Sequence, residues 1–223
     1  MGARHAERMK RFVKAGLYVV TSREFSAGRQ TEAIVGAVLK AGVSLIQLRE
    51  KGLSKLEFLA MAREVRRLTA EAGALLIIND HLDIARAVDA DGVHLGQDDL
   101  PVAEARRLAP DLILGASTHS EDEAVAAEKA GASYVNIGPL FPTGTKEGAA
   151  RWLGVEGLKA IAPLVSIPFT VMGGIKRQHI PALVAAGART LAVVSAVTAA
   201  EDPGAAARDF LDAIRAEIRK AGR

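Results

Sequence analysis

Short runs of apolar residues recur along the chain, and helical patterns lie between them. Each run is apolar at consecutive positions, which is typical of parallel strands that are buried on both faces. Four runs follow an Ala-Gly pair, and glycine fits the left-handed conformation just beyond the end of a helix. The pattern predicts eight strands, at about residues 17–21, 45–50, 75–80, 92–97, 112–117, 134–139, 169–173 and 191–195.

The clearest helical patterns cover residues 54–73, 120–131 and 179–187. Ser54 and Ser120 begin the first two, and each is followed three residues later by glutamate, as in a capping box. Eight alternations of strand and helix predict an α/β protein with a (β/α)8 TIM barrel. A doubly wound open sheet is the alternative, although such sheets more usually have about five to seven strands. No linker divides the chain, so we expect one domain over residues 1–223.

Polar residues follow most of the predicted strands at their carboxyl ends. Arg49 and Lys51 follow the second strand, Asp80 the third and Asp99 the fourth, while Ser117 ends the fifth. A solvated turn would explain any one of these positions. It explains the whole set poorly, because the carboxyl ends of barrel strands meet at the one face where active sites are built. We therefore expect the active site there.

Asp80 and Asp99 are carboxylates that adjacent barrel strands would bring close together. Mg²⁺ usually takes one or two protein carboxylates and completes its shell with waters and phosphate oxygens. The pattern therefore predicts a Mg²⁺ site, with Asp98 as the alternative to Asp99. The competing interpretation is that these acids cap the helix that begins near Pro101.

Arg49, Lys51 and Lys146 are cations expected on the same face, and both residue types suit phosphate. Together with a divalent ion, these three cations supply more positive charge than one phosphate monoester needs. They therefore indicate a pyrophosphate ligand. The alternative is that the two lysines are solvated surface residues. A second anion site is predicted where strands seven and eight end, at Gly173-Gly174 and Val194-Ser195, because barrels often bind phosphate there through backbone N–H groups.

The amino-acid composition narrows the possible classes of protein and of binding site. Hydrophobic residues make up 49% of the chain and aromatic residues 4%, so the core must be aliphatic. The chain has no cysteine, which excludes disulfides and thiolate metal sites. Its net charge of +3 is too small to indicate binding to nucleic acid. We interpret the basic start, residues 1–14, as a frayed or surface helix. No membrane segment is expected, and we predict a cytoplasmic protein whose state, monomer or homo-oligomer, the sequence leaves open.

The chain resembles the thiamine phosphate synthase (thiamine-phosphate pyrophosphorylase) family from residue 17 to about residue 215. The segments that carry the resemblance are QLREK (47–51), IINDHLDIA (77–85), DGVHLGQDDLP (91–101), GASTHS (115–120), YVNIGPLFPTGTK (134–146), MGGI (172–175) and VVSAV (193–197). Ser22 and Met172 depart from the residues that are more frequent in the family. The resemblance implies a (β/α)8 barrel that joins a hydroxymethylpyrimidine diphosphate to a thiazole phosphate, or its carboxylate form, with Mg²⁺ assistance.

The resemblance also implies a set of site residues. Asp80 and Asp99 match the family's Mg²⁺ ligands, which favours Asp99 over Asp98, and the positions expected to be catalytic are Arg49, Lys51, Ser117 and Lys146. The positions that match the pyrimidine-diphosphate site are Gln47, Arg49, Lys51, Asn79, Ser117 and Lys146. The positions that match the thiazole-phosphate site are Thr143, Gly144, Thr145, Gly174, Val194 and Ser195.

Three other functions compete with this one. A related thiazole tautomerase carries histidine where this chain has Pro139 and lacks the Thr-x-Thr-Lys ending of the loop. A barrel aldolase would use Lys51 or Lys146 as a Schiff base. A non-catalytic sensor of a phosphorylated ligand would not need so much charge arranged around a leaving group. His94 could be proposed as a metal ligand, but on a buried strand we interpret it as a hydrogen-bonded core histidine.

Overall fold

Eight parallel strands form a closed barrel in a computed structural model that describes residues 2–144 and 152–222. Each strand pairs with the next along the chain, and β8 pairs with β1. The predicted (β/α)8 fold is therefore confirmed. The strands are β1 (Leu17–Val20), β2 (Leu45–Leu48), β3 (Leu75–Asn79), β4 (Gly92–Leu95), β5 (Ile113–Thr118), β6 (Tyr134–Ile137), β7 (Phe169–Val171) and β8 (Thr190–Val193).

The α-helices of the described ranges are α1 (Ala3–Phe12), α2 (Thr31–Lys40), α3 (Lys55–Glu71), α4 (Leu82–Ala87), α5 (Val102–Leu108), α6 (Glu121–Lys129), α7 (Gly154–Ile161), α8 (Ile180–Ala185), α9 (Ser195–Thr198) and α10 (Pro203–Ala221). Within residues 2–144 and 152–222, none of these helices combines the length and the hydrophobicity that a membrane span requires.

Most strands end earlier than the sequence pattern predicts. The second strand stops at Leu48, so Arg49 and Glu50 lie beyond it, and the eighth stops at Val193 because Ser195 already begins α9. An apolar run shows where side chains are buried, whereas a strand ends where its backbone leaves the hydrogen-bonded ladder. The polar residues predicted to end the strands therefore belong largely to the loops that carry the cavity.

Alternate residues of each strand face two different apolar layers, which explains why the runs are apolar at consecutive positions. Leu17 and Val19 of β1 point outward into the layer between barrel and helices. Tyr18 and Val20 point inward, where they meet inward residues of β2, β3, β5, β6 and β8. The inner layer also receives Phe12 from α1, so the barrel is filled by side chains at its amino end.

Four helices end as the Ala-Gly pairs predict. Gly42, Gly73, Gly131 and Gly187 have φ values of 94°, 64°, 90° and 96°. The backbone N–H of the residue after each glycine donates to a carbonyl five residues before it, as in the Schellman motif. This turn redirects the chain from each helix into the next strand.

Helix α1 lies across the amino end of the barrel, and it is a surface helix as expected but not a frayed one, because one of its faces is buried. His5, Arg8 and Phe12 are buried in it. The Arg8 side chain donates to Asp91 and to the carbonyls of Ala90 and Asp111, which precede β4 and β5. The sequence does not reveal this buried face, because burial of a guanidinium depends on partners that are distant in sequence.

Candidate active site

A cavity of about 380 Å³ opens at the carboxyl end of the barrel. Its walls come from the loops that follow the strands, as the polar residues at the strand ends predicted. Nine of the site residues expected from the sequence line it: Gln47, Arg49, Lys51, Asn79, Asp80, Asp99, Ser117, Thr143 and Val194. The fold therefore brings together side chains that lie up to 147 residues apart in the sequence, since Gln47 and Val194 share one cavity.

The Asp80 and Asp99 carboxylates interact with each other at one side of this cavity. Burial, with the hydrogen bond and the charge of Asp99, raises the pKa of Asp80 to about 7, although Arg49 and Lys51 oppose the shift. Asp80 also has a φ of 63°, which few residues other than glycine adopt. Asp99 is held by the Gly96 N–H, which donates to its Oδ2 at 2.6 Å. Asp98 is exposed in the cavity lining.

This pair of acids fits a hard divalent cation by the chemistry of its donors. Two carboxylates that face each other without a cation between them repel, and a cation would relieve that repulsion. Among residues 2–144 and 152–222, no group of three or more His, Cys, Asp and Glu side chains is placed to hold a metal. The described residues therefore offer two carboxylates, a number that suits Mg²⁺ with waters and phosphate oxygens as its other ligands.

Arg49 and Lys51 line the same cavity, where Arg49 is half-buried and Lys51 is exposed. In the described part of the chain, neither cation forms an ion pair. Glu50 between them points elsewhere and is buried. It accepts from the Thr31 hydroxyl and the Arg23 N–H, both at 2.7 Å, and so fixes the connection between β1 and α2. The two cations are thus left facing the cavity, whereas the adjacent acid has a structural role.

A second cavity of about 30 Å³ adjoins the first between β7 and β8. Thr143, Gly174, Val194 and Ser195 line it, as expected for these positions, while Gly144 is exposed at the end of the described part of its loop. Thr145 and Lys146 lie outside the described residues. The second cavity shares Thr143 and Val194 with the larger one, so ligands in the two would lie side by side.

The two glycines that follow β7 allow the loop after β6 to pack closely on the chain. Gly173 and Gly174 have φ values of 101° and 61°. A side chain on Gly173 would lie 2.6 Å from Pro139 Cβ. The N–H groups of Leu140 and Phe141 donate to the carbonyls of Met172 and Gly173 at 2.9 and 3.0 Å. These glycines are therefore required for packing of the loop as well as for any approach of a ligand to the backbone.

Several cavity residues carry no role in the prediction from sequence. Asn136 in β6 is buried and lines the cavity, and its Oδ1 accepts from Thr170 at 2.7 Å. A polar residue inside an apolar run was the available signal for it. His119 also lines the cavity, and its Nδ1 lies 2.9 Å from Glu123 Oε2. Glu123 therefore bonds to His119 rather than completing the capping box expected with Ser120.

The interpretation of His94 as a hydrogen-bonded core histidine is confirmed. It is buried, and its ring nitrogens lie 2.9 Å from the Tyr134 hydroxyl and 2.9 Å from Ser117 Oγ. Of the two residues that depart from the resemblance, Met172 lines both cavities and Ser22 is buried before a short 3-10 helix.

Comparison with known proteins agrees with this geometry. The profile of the family described as thiamine monophosphate synthase matches residues 17–197. A thiamine-phosphate synthase of Chloroflexus aurantiacus is 48% identical over 87% of this chain and 90% of its own length. One from Shouchella clausii is 43% identical over 89% of this chain and 95% of its own. A solved thiamine phosphate pyrophosphorylase from Pyrococcus furiosus superposes with a TM-score of 0.85 at 38% identity, over 92% of this chain and 98% of that one.

Proposed function

The chain belongs to the thiamine monophosphate synthase family, and from that premise we propose the reaction and the residues that carry it out. The enzyme is a transferase. We propose that its substrates are 4-amino-2-methyl-5-hydroxymethylpyrimidine diphosphate and a thiazole phosphate or thiazole carboxylate phosphate. The products are thiamine phosphate and pyrophosphate, with loss of CO₂ as well if the carboxylate form is used.

One bond breaks and one forms in the transfer. The bond between the pyrimidine methylene carbon and the diphosphate oxygen breaks, and its electron pair leaves with pyrophosphate. The electron-rich pyrimidine stabilises the resulting methylene cation, and the lone pair of the thiazole nitrogen forms the new C–N bond. The protein must therefore hold two phosphorylated substrates side by side and stabilise the negative charge that develops on the leaving group.

Asp80 and Asp99 are the residues that we propose to hold Mg²⁺. When bound, this ion would neutralise charge on the diphosphate and so make it a better leaving group. The two carboxylates lie beside Arg49 and Lys51, which supports a diphosphate as the ligand that all four share.

Arg49 and Lys51 would bind the diphosphate oxygens directly, since guanidinium and ammonium groups both donate to phosphate. Lys146 is proposed to act with them from the loop after β6, and this role rests on the sequence alone. Gln47 and Asn79 line the cavity and would orient the pyrimidine ring. Ser117 would contact the diphosphate or the ring.

The smaller cavity is proposed to take the phosphate group of the thiazole phosphate. Its lining includes Gly174, Val194 and Ser195, whose backbone N–H groups are the donors that barrels commonly offer a phosphate at this position. Thr143 belongs to both cavities and would lie between the two substrates, and Gly144 and Thr145 are assigned to this site from the sequence.

Four broader statements stay predictions: one domain over the chain, a cytoplasmic location, no nucleic-acid partner, and a state that is either monomeric or homo-oligomeric. The thiazole tautomerase alternative is weakened by Pro139, which lines the cavity where that enzyme carries histidine. The aldolase alternative requires a Schiff base on Lys51 or Lys146. Borohydride trapping with a carbonyl substrate would support the aldolase and contradict the synthase.

The observation that carries the proposal is the placement of two facing carboxylates and two cations without ion-pair partners in one cavity of the described chain. The test is to mix the purified protein with the pyrimidine diphosphate, the thiazole phosphate and Mg²⁺, and to assay both products. We expect thiamine phosphate and pyrophosphate in equal amounts, and neither when a chelator replaces Mg²⁺. A folded protein that forms no thiamine phosphate with either thiazole substrate would contradict the proposal.

A further inference from the structure

Five side chains form a continuous hydrogen-bonded chain across the interior of the barrel. It begins at Gln47, passes through Tyr18, Tyr134 and His94, and ends at Ser117. The distances are 2.7 Å from Gln47 Nε2 to the Tyr18 hydroxyl, 3.0 Å between the two tyrosine hydroxyls, 2.9 Å from the Tyr134 hydroxyl to His94 Nδ1, and 2.9 Å from His94 Nε2 to Ser117 Oγ. Both ends of this chain line the cavity, and its middle is buried.

The hydrogens in this chain can run in either of two directions, and the orientation of the Gln47 amide selects between them. With Nε2 of Gln47 toward Tyr18, the Tyr18 oxygen accepts from it, and the Tyr18 hydrogen is then available to Tyr134. Tyr134 then donates to Nδ1 of His94, which must be an unprotonated acceptor. A neutral imidazole with that tautomer carries its hydrogen on Nε2 and donates it to Ser117 Oγ. The Ser117 hydrogen is then directed away from His94.

Close packing fixes the side chains in the middle of this hydrogen-bonded chain. A side chain on Gly115 would lie 2.5 Å from His94 Nδ1 and would overlap the Tyr134 ring. Phe12 packs against the Tyr134 ring from the amino end, with ring centroids 4.5 Å apart. A glycine in β5 and a phenylalanine in α1 therefore hold the middle of the chain in place.

We infer that Tyr18, Tyr134 and His94 are positioning residues that make the Ser117 hydroxyl a hydrogen-bond donor to the substrate. The inference rests on the proposed function, in which Ser117 contacts the pyrimidine diphosphate. An anionic diphosphate oxygen or a ring nitrogen accepts hydrogen bonds, so a serine that already accepts from His94 presents the matching donor. The opposite order of hydrogens would make Ser117 donate to His94 and face the substrate as an acceptor.

The order of hydrogens can be read without any assay of activity. Long-range ¹H–¹⁵N NMR spectra of histidine-labelled protein distinguish the two neutral tautomers, and His94→Gln identifies the His94 signals among the five histidines. We expect the tautomer with hydrogen on Nε2 in the wild-type protein. The tautomer with hydrogen on Nδ1, or a doubly protonated ring at neutral pH, would overturn the inference even if the enzyme makes thiamine phosphate.

Two variants of His94 separate positioning of Ser117 from simple packing. His94→Gln keeps an N–H donor near the position of Nε2, whereas His94→Asn moves the donor to the position of Nδ1 and leaves Ser117 without it. We expect His94→Asn to lower kcat about 10-fold or more, close to the effect of Ser117→Ala, and His94→Gln to retain most of kcat. Equal losses for Gln and Asn would overturn the inference.

A double-mutant cycle completes the test. Once Ser117→Ala has removed the hydroxyl, His94→Asn should lower kcat little further, because its effect acts through Ser117. Thr118→Val is the matched control: it removes a buried hydroxyl from the same strand, bonded at 3.2 Å to the Asn136 carbonyl and absent from the cavity lining. It should change stability without changing kcat. Losses of kcat that add in the double variant would overturn the inference, whereas failure of the wild-type protein to make product would overturn only the proposed function.

Discussion

The two ends of the barrel carry similar charged residues in opposite circumstances. At the amino end, the Asp91 carboxylate accepts from Arg8 at 3.1 Å, from Arg66 at 2.9 Å and from the Leu76 N–H at 2.9 Å. Arg8 is only 4% exposed, yet its guanidinium donates to two backbone carbonyls as well. Asp91, Arg8 and Arg66 thus find both counter-charges and hydrogen bonds within the chain.

At the carboxyl end the charges are arranged in the reverse manner. Asp80 and Asp99 face each other, although like charges at short distance disfavour ionisation of both. Arg49 and Lys51 stand nearby without an ion pair in the described part of the chain. Such an arrangement costs stability, and a bound cation and anion would relieve it. The comparison therefore distinguishes charged residues that stabilise the fold from charged residues that are arranged to bind ligands.

Removal of the Asp91 charge should give the largest loss of stability. Asp91→Asn leaves the buried Arg8 with only the mostly exposed Asp89 carboxylate, 3.9 Å away, as a counter-charge. Breaking a buried pair typically costs about 3–5 kcal/mol in the free energy of unfolding. Denaturant unfolding measures the loss, and kcat of the folded fraction should be unchanged. Glu104→Gln is the control, because its pair with Arg107 is at least half exposed and should contribute no more than about 1 kcal/mol. Equal losses of stability for the two variants would contradict the claim that the buried ion pair matters more than an exposed one.

Removal of a carboxylate charge at the carboxyl end of the barrel should lower activity and leave stability intact. Asp80→Asn and Asp99→Asn should each lower kcat on the order of 100-fold or more, since a metal ligand is lost. Asparagine is chosen because it tolerates the positive φ of Asp80 better than alanine does. The midpoint of thermal unfolding should stay the same or rise, because repulsion between the two acids disappears. Near-normal kcat at limiting Mg²⁺ would show that these acids are not the metal ligands.

The cations of the cavity should show a smaller effect of the same kind. Arg49→Ala should lower kcat/KM about 10-fold to 100-fold, the range expected for loss of a charge-assisted hydrogen bond. Arg63→Ala, which removes an exposed guanidinium from α3, is the matched control and should change neither kcat/KM nor stability. A comparable loss in both variants would mean that net charge, rather than placement, matters.

The smallest expected effect concerns pH at the amino end. Burial, followed by the charge of Arg106, lowers the pKa of His5 below its ordinary value of 6.5. The unfolded chain therefore binds a proton that the folded chain does not, so His5 contributes a loss of stability that starts as pH falls through about 6.5 and grows until the folded pKa is reached. The free energy of unfolding can be measured between pH 8 and pH 5, in steps on the order of one pH unit. It should decrease less with falling pH for His5→Gln than for the wild-type protein. Parallel curves would contradict this role.

The sequence predicted the carboxyl end better than the amino end, for a physical reason. Polar residues after apolar runs are visible in sequence because they interrupt a pattern, and Arg49, Lys51, Asp80 and Asp99 all do so. The docking of α1 depends on the partner that Arg8 finds 83 residues away, and no local pattern reports such a pair. The sequence therefore predicts the exposed face of this basic helix but not the buried face that closes the barrel.

The hydrogen-bonded chain inside the barrel was hidden for a related reason. Tyr18 and Tyr134 lie in apolar runs, and their rings belong to the core. Their hydroxyls meet only because the barrel closes, which brings β1 and β6 within reach across its interior. The periodicity of a strand gives the face on which a residue lies but not the residue that it meets from a distant strand.

Binding of pyrophosphate, measured by isothermal titration calorimetry with and without Mg²⁺, tests the central claim most directly. If the carboxyl end holds a diphosphate through a metal and two cations, pyrophosphate should bind at least about 10-fold more tightly with Mg²⁺ than in chelator. Asp80→Asn should lose that gain, and Asp89→Asn should keep it. Equal affinity for pyrophosphate with Mg²⁺ and in chelator would contradict the account.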